Sequence, residues 1–362
     1  MPQHDLVRDN PNMPDMDRPL RVGVVGTGAF GRNHARVYRD LQGDLSLNVK
    51  LAGVVDADMA RTKAIAEEFG TRAFGSVAEL VVSGVDAVSV AVPTVAHLAV
   101  ARELMEAGVD VLIEKPLAST LAEAAELLAV ARRHNRIVQV GHLERFNPAV
   151  RATLPLLTRP MFFEVHRLSV FTPRSLDVDV VLDLMIHDID IVLTMTKSPV
   201  KEVRAVGLPI LSKKVDIANV RLEFESGCVA NFTASRVSTE RVRKLRFFQP
   251  RQYVSLDFSR QDVLVLTVDA DAGSSDDFDP FNPASVASSA FPGITPFKPR
   301  VEPQEPLRAE LMSFLAAVRE RATPEVSLEQ GRDALAVALQ IVDAIAQHSR
   351  RAHLEELTGG VS

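Results

Sequence analysis

The chain predicts an α/β protein: an N-terminal, doubly wound parallel sheet followed by an α+β domain built on a mainly antiparallel sheet. Three observations predict this. Apolar runs alternate with helical stretches up to about residue 145. Beyond residue 160, short β-rich runs follow one another with a single helix among them. The first apolar run ends in three closely spaced glycines, as a buried parallel strand does when it turns sharply into a helix.

The first 19 residues are polar, carry Pro2, Pro11, Pro14 and Pro19, and lack the apolar core of a signal peptide, so they read as a disordered leader. Val22, Val24 and Val25 then make a β-branched run suited to a strand buried on both faces. Gly26, Gly28 and Gly31 follow as Gly-x-Gly-x-x-Gly, opening a helix over residues 32–41. In this setting the first glycine allows the tight turn and the second lets a pyrophosphate approach the backbone. The third lets helix and strand pack closely. The helix N-terminus adds unpaired N–H groups and a positive dipole end. A second strand over 51–55 runs into Asp56, 25 residues after Gly31, where a carboxylate meets the ribose hydroxyls of NAD. Asp58 adds negative charge that disfavours a 2′-phosphate, so NAD is favoured over NADP. The alternative is an incidental glycine turn in a doubly wound domain.

A helix over 59–69 is stopped by Gly70, a strand over 87–92 by Pro93, and a helix over 96–107 by Gly108. A strand over 109–113, a helix over 121–134 and a strand over 137–140 complete a Rossmann-type NAD-binding domain over 20–145. The second domain, over 146–325, contains strands at 161–170, 203–206, 219–224, 228–233, 245–248, 253–258 and 263–268, with a hairpin at Glu225-Ser226-Gly227. One helix, over 180–196, interrupts them, and residues 269–303 read as a long loop rich in Asp, Ser, Pro and Gly. Helices over 307–321 and 328–348 close the chain, and the segment 326–362 is expected to pack back on the first domain.

Composition excludes several classes. The 362 residues are 46% hydrophobic and 24% charged, an ordinary globular balance, and the net charge of −6 argues against a nucleic-acid binder. Cys228 is the sole cysteine, so an intrachain disulfide is impossible. No apolar run reaches transmembrane length, and a cytoplasmic protein is expected.

Residues just after the strands of a doubly wound sheet face its ligand. Glu114-Lys115-Pro116 stands there, and its ammonium can stabilise developing alkoxide charge, with Glu114 holding the lysine by ion pairing. A surface salt bridge is the competing reading. In the second domain, Asp183, His187 and Asp190 at i, i+4 and i+7 form a polar stripe on an otherwise apolar helix. Such a histidine can act as a general base, and a satisfied core histidine or a metal ligand are its rivals. With no further ligand identifiable, no metal is expected. A basic stretch, Arg241, Arg243, Lys244, Arg246 and Arg251 with Arg236, fits either a substrate diphosphate or a solvated edge strand. Arg167 and Arg174 are alternative phosphate or carboxylate contacts. His34, His97 and His142 read as structural or cofactor-adjacent.

In order along the chain, the glycine motif, Asp56, Pro93-Thr94 with His97, Glu114-Lys115-Pro116 and Asp183-x-x-x-His187-x-x-Asp190 together resemble the glucose-fructose oxidoreductase / inositol dehydrogenase / rhizopine catabolism (Gfo/Idh/MocA) family over about residues 20–345. The resemblance implies a Rossmann domain and then an open antiparallel sheet that mediates oligomer contacts, as a homodimer or homotetramer. It implies NAD held by Gly26, Gly28, Ala29, Phe30, Gly31, Asp56, Pro93, Thr94, His97, Glu114 and Lys115. Lys115 and His187 would sit by the reacting carbinol with Asp183 lining the pocket. Residues 177–182, Asp-Val-Asp-Val-Val-Leu, depart from the glycine-rich lead-in that some members carry.

Within the family, Gly141-His-Leu-Glu-Arg-Phe-Asn-Pro148, Glu164-Val-His-Arg167 and the run 180–190 are similar to members that oxidise UDP-N-acetylhexosamines at C3. That implies NAD-dependent oxidation of the C3 hydroxyl of UDP-N-acetylglucosamine, with substrate contacts from Asn147, Arg167, Arg174 and His187. The product would pass to a downstream aminotransferase in diamino-sugar lipid A synthesis. A free-sugar or inositol dehydrogenase is the rival of the same class. A non-catalytic NAD-binding sensor is the rival of another class, and retention of both Lys115 and His187 argues against it.

Overall fold

β-Branched runs closed by Gly or Pro set the first half of the chain. The computed structural model describes residues 18–171, 178–268 and 293–354. Here β1 (Leu20–Val25), α1 (Ala29–Leu41), β2 (Val49–Val55), α2 (Met59–Phe69), β3 (Arg72–Phe74), α3 (Val77–Val82), β4 (Ala87–Val90), α4 (His97–Glu106), β5 (Asp110–Glu114), α5 (Leu121–Arg133) and β6 (Val138–Gly141) follow in turn. The six strands form one sheet in the order β3-β2-β1-β4-β5-β6. β1 pairs in parallel with both β2 and β4, so the order switches direction beside β1, the place where such sheets bind ligands. Val22, Val24, Val88, Val111 and Leu112 are fully buried, as strands covered on both faces require.

Local chemistry ends the elements. The Asp58 carboxylate caps α2, and Gly70 closes it in the left-handed region at φ +60°. β3 and α3 were not anticipated, being too short to display a period. The Ser76 hydroxyl caps α3 by accepting the Glu79 N–H.

The second half opens with the short α6 (Pro148–Thr153), then β7 (Phe162–Val170). A π-helical turn, Val181–Met185, leads directly into α7 (Ile186–Thr196). Strands β8 (Val200–Leu208), β9 (Ile217–Phe224), β10 (Val229–Ser238), β11 (Val242–Gln249), β12 (Gln252–Asp257), β13 (Asp262–Val268) and β14 (Ile294–Phe297) follow, then α8 (Pro306–Glu320) and α9 (Leu328–Arg351). Their sheet runs β14-β13-β12-β11-β7-β10-β9-β8. Its pairs are antiparallel except β7 with β10, which is parallel. Period-two alternation buries Phe163 and Val165 of β7, Phe232 of β10, and Leu245 and Phe247 of β11 beneath the apolar residues of α7. The predicted hairpin is present, with Gly227 at φ +81° between β9 and β10.

By packing, the chain separates into Met1–Ile113, Ala129–Gln139 and Leu311–Glu325 on one side, and Glu114–Leu128, Val140–Glu310 and Val326–Ser362 on the other. Three expectations change. The last helix groups mainly with the second unit: Ala334, Ala338, Ile341 and Ile345 of α9 are buried in the same core as α7 and the second sheet, with Ile345 against Gly207 of β8, while Gly331 at its start packs on Val140 of β6. It is the segment before it that groups with the first unit, where Arg319 donates to the Asn48 carbonyl and Arg321 pairs with Asp110. The basic strand β11 is interior to its sheet, so the solvated-edge reading fails. The expected loop over 269–303 contains β14, while 269–292 lie outside the described residues, as do residues 1–17 and 172–177. Among the described residues, no helix is long and apolar enough to cross a membrane.

Candidate active site

In the first unit, the turn from β1 to α1 is shaped by what its glycines lack. Gly26 adopts φ +91°, and a Cβ there would stand 2.5 Å from the Ala91 carbonyl oxygen. A Cβ on Gly31 would overlap the carbonyl oxygen of Gly26, so helix and turn touch through backbone alone. Gly28 faces open space and caps α1 without a side-chain hydrogen bond, and the first helical turn holds no acidic residue. A helix N-terminus left open in this way, beside bare backbone, fits a pyrophosphate. Asp56 at the end of β2 accepts from the N–H and hydroxyl of Thr27 and from the N–H of Asp58. Burial works against its charge, but these hydrogen bonds and Arg61 hold the carboxyl below its ordinary range. A carboxylate fixed beside the glycine turn fits the ribose hydroxyls of NAD.

Ala29 and Phe30 begin α1, and Phe30 is exposed. Pro93 and Thr94 occupy the turn after β4. His97 is buried with its Nε2 3.0 Å from the Val92 carbonyl oxygen, where it fixes that turn.

The second unit assembles side chains from four elements. Lys115, one residue beyond β5, donates through Nζ to the carbonyl oxygen of Asp183 at 2.6 Å and lies 3.4 Å from its Oδ1. Glu114 does not provide the ion pair expected of it. Its buried carboxylate accepts the Lys115 backbone N–H instead, leaving the ammonium to Asp183. Asp183 lies in the π-helical turn and His187 in the first turn of α7, so the spacing of a regular α-helix does not hold between them.

His187 is partly buried, and its Nδ1 is sealed from solvent without a hydrogen-bond partner. Burial pushes its pKa well below the ordinary histidine value, and the positive charges of Lys115, Arg167 and Arg243 push the same way. The ring is therefore neutral at pH 7, the state a proton acceptor needs. His142, just beyond β6, stands edge-on to it with ring centroids 6.2 Å apart. It is fully buried, neither of its nitrogens has a hydrogen-bond partner, and burial lowers its pKa too.

A chain of buried ion pairs holds α7. Arg145 makes a two-pronged contact with Asp190 at 2.6 and 2.9 Å. Arg167 grips Asp188 with two bonds of 2.7 Å and reaches Glu144 at 2.9 Å. Burial opposes the charge on Arg167, and the two carboxylates outweigh it and raise its pKa. The three-residue stripe expected on this helix thus divides. Asp183 faces Lys115, whereas Asp190 faces Arg145 as an anchor. Asn147 caps α6 and donates to Glu144 and to the Phe258 carbonyl, and Arg167 is only 2% exposed. Both were expected to touch substrate. Here they support the residues that face the site. Arg174 lies outside the described residues.

Sequence reasoning passed over Glu144, Arg145 and Asp188 as functional residues. A signal existed: charged residues at positions where the apolar pattern calls for core are paired or functional.

A model described as oxidoreductase family, NAD-binding Rossmann fold, matches residues 20–142, and one for the GFO/IDH/MocA C-terminal domain matches residues 160–251. The chain is similar to the UDP-N-acetylglucosamine 3-dehydrogenase of Acidithiobacillus ferrooxidans, at 34% identity over 333 residues, 92% of this chain and 99% of that protein. It is also similar to inositol 2-dehydrogenase 1 of Saccharopolyspora erythraea, at 33% identity over 51% of this chain and 56% of that one. A solved structure of the Acidithiobacillus enzyme, GnnA, covers 90% of this chain and 98% of its own with a TM-score of 0.79. The myo-inositol 2-dehydrogenase of Lactobacillus plantarum, 20% identical, shares the fold with a TM-score of 0.72 over 91% of this chain and 98% of its own. Bare-backbone nucleotide turn, paired lysine and neutral histidine thus belong to a chain that is a member of the Gfo/Idh/MocA family of NAD-binding oxidoreductases.

Proposed function

We propose that this chain oxidises the C3 hydroxyl of UDP-N-acetylglucosamine to the 3-keto sugar. The observation that carries the reading is a lysine ammonium held by Asp183, with a histidine held neutral within reach of its field. The full-length sequence similarity to a UDP-N-acetylglucosamine 3-dehydrogenase supports the choice of substrate over the inositols, whose dehydrogenases match about half of this chain in sequence.

Oxidation of a secondary alcohol removes one proton and one hydride from the same carbinol. NAD, when bound, supplies the acceptor for the hydride at C4 of its nicotinamide. His187 takes the hydroxyl proton. Its depressed pKa keeps it free to accept across the neutral range, and makes it pass the proton on readily to solvent once the ketone has formed. Lys115 donates to the carbinol oxygen and offsets the negative charge that develops there as the proton leaves. Asp183 holds the ammonium within reach through its carbonyl and carboxylate oxygens. The resulting ketone is the electrophile that an aminotransferase requires.

Incubation with NAD and UDP-N-acetylglucosamine deuterated at C3 should move deuterium into the cofactor, detected by mass spectrometry. Folded, NAD-loaded protein that transfers no label removes the C3 assignment. Lys115→Ala should lower turnover by about a thousandfold while NAD affinity holds within about threefold. Equal loss of both would remove the role given to Lys115.

A further inference from the structure

One arginine beside His187 has no use in the scheme above. The inward-facing positions of β7 read Phe163, Val165, Arg167, and those of β11 read Phe247, Leu245, Arg243. The two rows lie opposite one another in register, Phe163 against Phe247, Val165 against Leu245, and Arg167 against Arg243. Each strand therefore exchanges core residues for arginine at the same end of the sheet. Like charges placed directly opposite repel, so such a pair persists only with anions to share.

The two guanidinium groups share very unequally. Arg167 has Asp188 on two prongs and Glu144 Oε1 at 2.9 Å. Arg243 reaches that same Glu144 oxygen at 3.7 Å, beyond hydrogen-bond distance. Its Nε is buried without a partner, and its guanidinium makes no hydrogen bond among the described residues. Yet the side chain is 35% exposed, so an open path leads to it. Burial and the neighbouring Arg167 both work against its charge, and its field reaches His187. A half-buried cation with all its donors idle is in want of an anion.

We propose that Arg243 binds a phosphate oxygen of the substrate's diphosphate and so places the sugar hydroxyl at His187. The assignment rests on the nucleotide-sugar reading above. A planar guanidinium takes phosphate oxygens two at a time, which fixes orientation as well as adding affinity. In a nucleotide sugar, the carbon that bears the phosphate, C1, and the carbon that bears the reacting hydroxyl, C3, are separated by a single ring carbon. A group that grips the phosphate near His187 therefore presents the hydroxyl to it. Arg167 cannot serve, since its donors already hold Asp188 and Glu144. The remaining cations of the basic strand, Lys244 and Arg246, fall on the opposite face by alternation, and Arg246 pairs there with Glu164.

Calorimetric titration of the NAD-loaded full chain with UDP, UMP and uridine tests this. Wild type should bind UDP, and Arg243→Gln should weaken that binding by about tenfold to a hundredfold, with uridine affinity, NAD affinity and Tm unchanged. Arg243→Lys should recover part of the loss, because charge returns without the fork. Arg246→Gln should leave UDP binding within about twofold. If the glutamine variant fails to fold, Arg243→Met, which keeps the apolar stem, is read in its place. Wild-type UDP affinity in either neutral variant overturns the assignment and leaves the nucleotide-sugar reading standing. Uridine weakened as much as UDP also overturns it, since the loss would then be one of pocket shape. Wild type that binds no UDP overturns both.

Discussion

The glycine turn of the first unit and the ion-paired helix of the second solve opposite problems. At Gly26, Gly28 and Gly31 the site is made by removing side chains, so that backbone donors stand bare and strand and helix can touch. Around α7 it is made by adding charged side chains to a core position and neutralising each with another. The first device is confined to six consecutive residues and depends on local geometry. The second draws on β7, β11, α7 and the segments after β5 and β6, and depends on the whole second unit being folded. A binding surface for a fixed cofactor tolerates the first solution, because backbone cannot drift. A reacting centre needs the second, because charge and proton affinity are set by neighbours.

Substitutions at both sites would break or sharpen that contrast. The largest effect is expected at Gly31→Ala, whose methyl must displace the Gly26 carbonyl, with a stability loss of about 4 kcal/mol or more in thermal or urea unfolding. Gly28→Ala, facing open space, should fold normally and weaken NAD alone. Equal destabilisation by the two would mean that the turn is not shaped by close packing. Next comes Arg145→Met, which leaves Asp190 as an unpaired buried carboxylate and should cost about 3–5 kcal/mol. The double variant Arg145→Met/Asp190→Leu should recover most of that loss. No recovery would mean that the pair does more than neutralise itself.

The smallest effect concerns Glu310, fully buried in α8. Burial and then the carboxylates of Glu114 and Asp190 raise its pKa well above the ordinary value. Its folded-state pKa lies above the unfolded one, so the native state holds a proton that the unfolded chain releases above about pH 4.5. Stability from this group is therefore lost as pH rises from there through its folded pKa. Glu310→Gln should raise Tm at pH 8 and leave it unchanged at pH 4. A larger gain at pH 4 would reverse the sign. His142 and His187 act in the other sense. With folded pKa values below 6.5, the stability they carry is complete above that pH and falls as pH drops beneath it.

Legibility followed the same division. The strand ends, the glycine motif, Asp56 and Gly70 were readable because each rests on neighbours within a few residues. Lys115 was readable by its place after a strand, but its partner was not, since Glu114 next door was the nearer carboxylate in sequence and Asp183 the nearer one in space. The polar stripe at 183, 187 and 190 assumed α-helical spacing, and a π-helical turn covers the first of the three. Asp190 then turned out to belong to Arg145. The main partner of the last helix, the core of the second sheet, was not readable, because an amphipathic stripe states that a face is buried without stating against what.

By itself the sequence determined the order of the longer strands and helices, the backbone turn that fits a dinucleotide, and which residues carry ionisable chemistry. These depend on local sterics, on periodicity and on side-chain type, which are properties of short segments. Tertiary structure alone decided which charges meet: Lys115 with Asp183, Arg145 with Asp190, Arg167 with Asp188 and Glu144, and Arg243 with none of them at hydrogen-bond distance. It decided too that His187 is neutral, because desolvation and the field of nearby cations exist only after the strands and helices have packed.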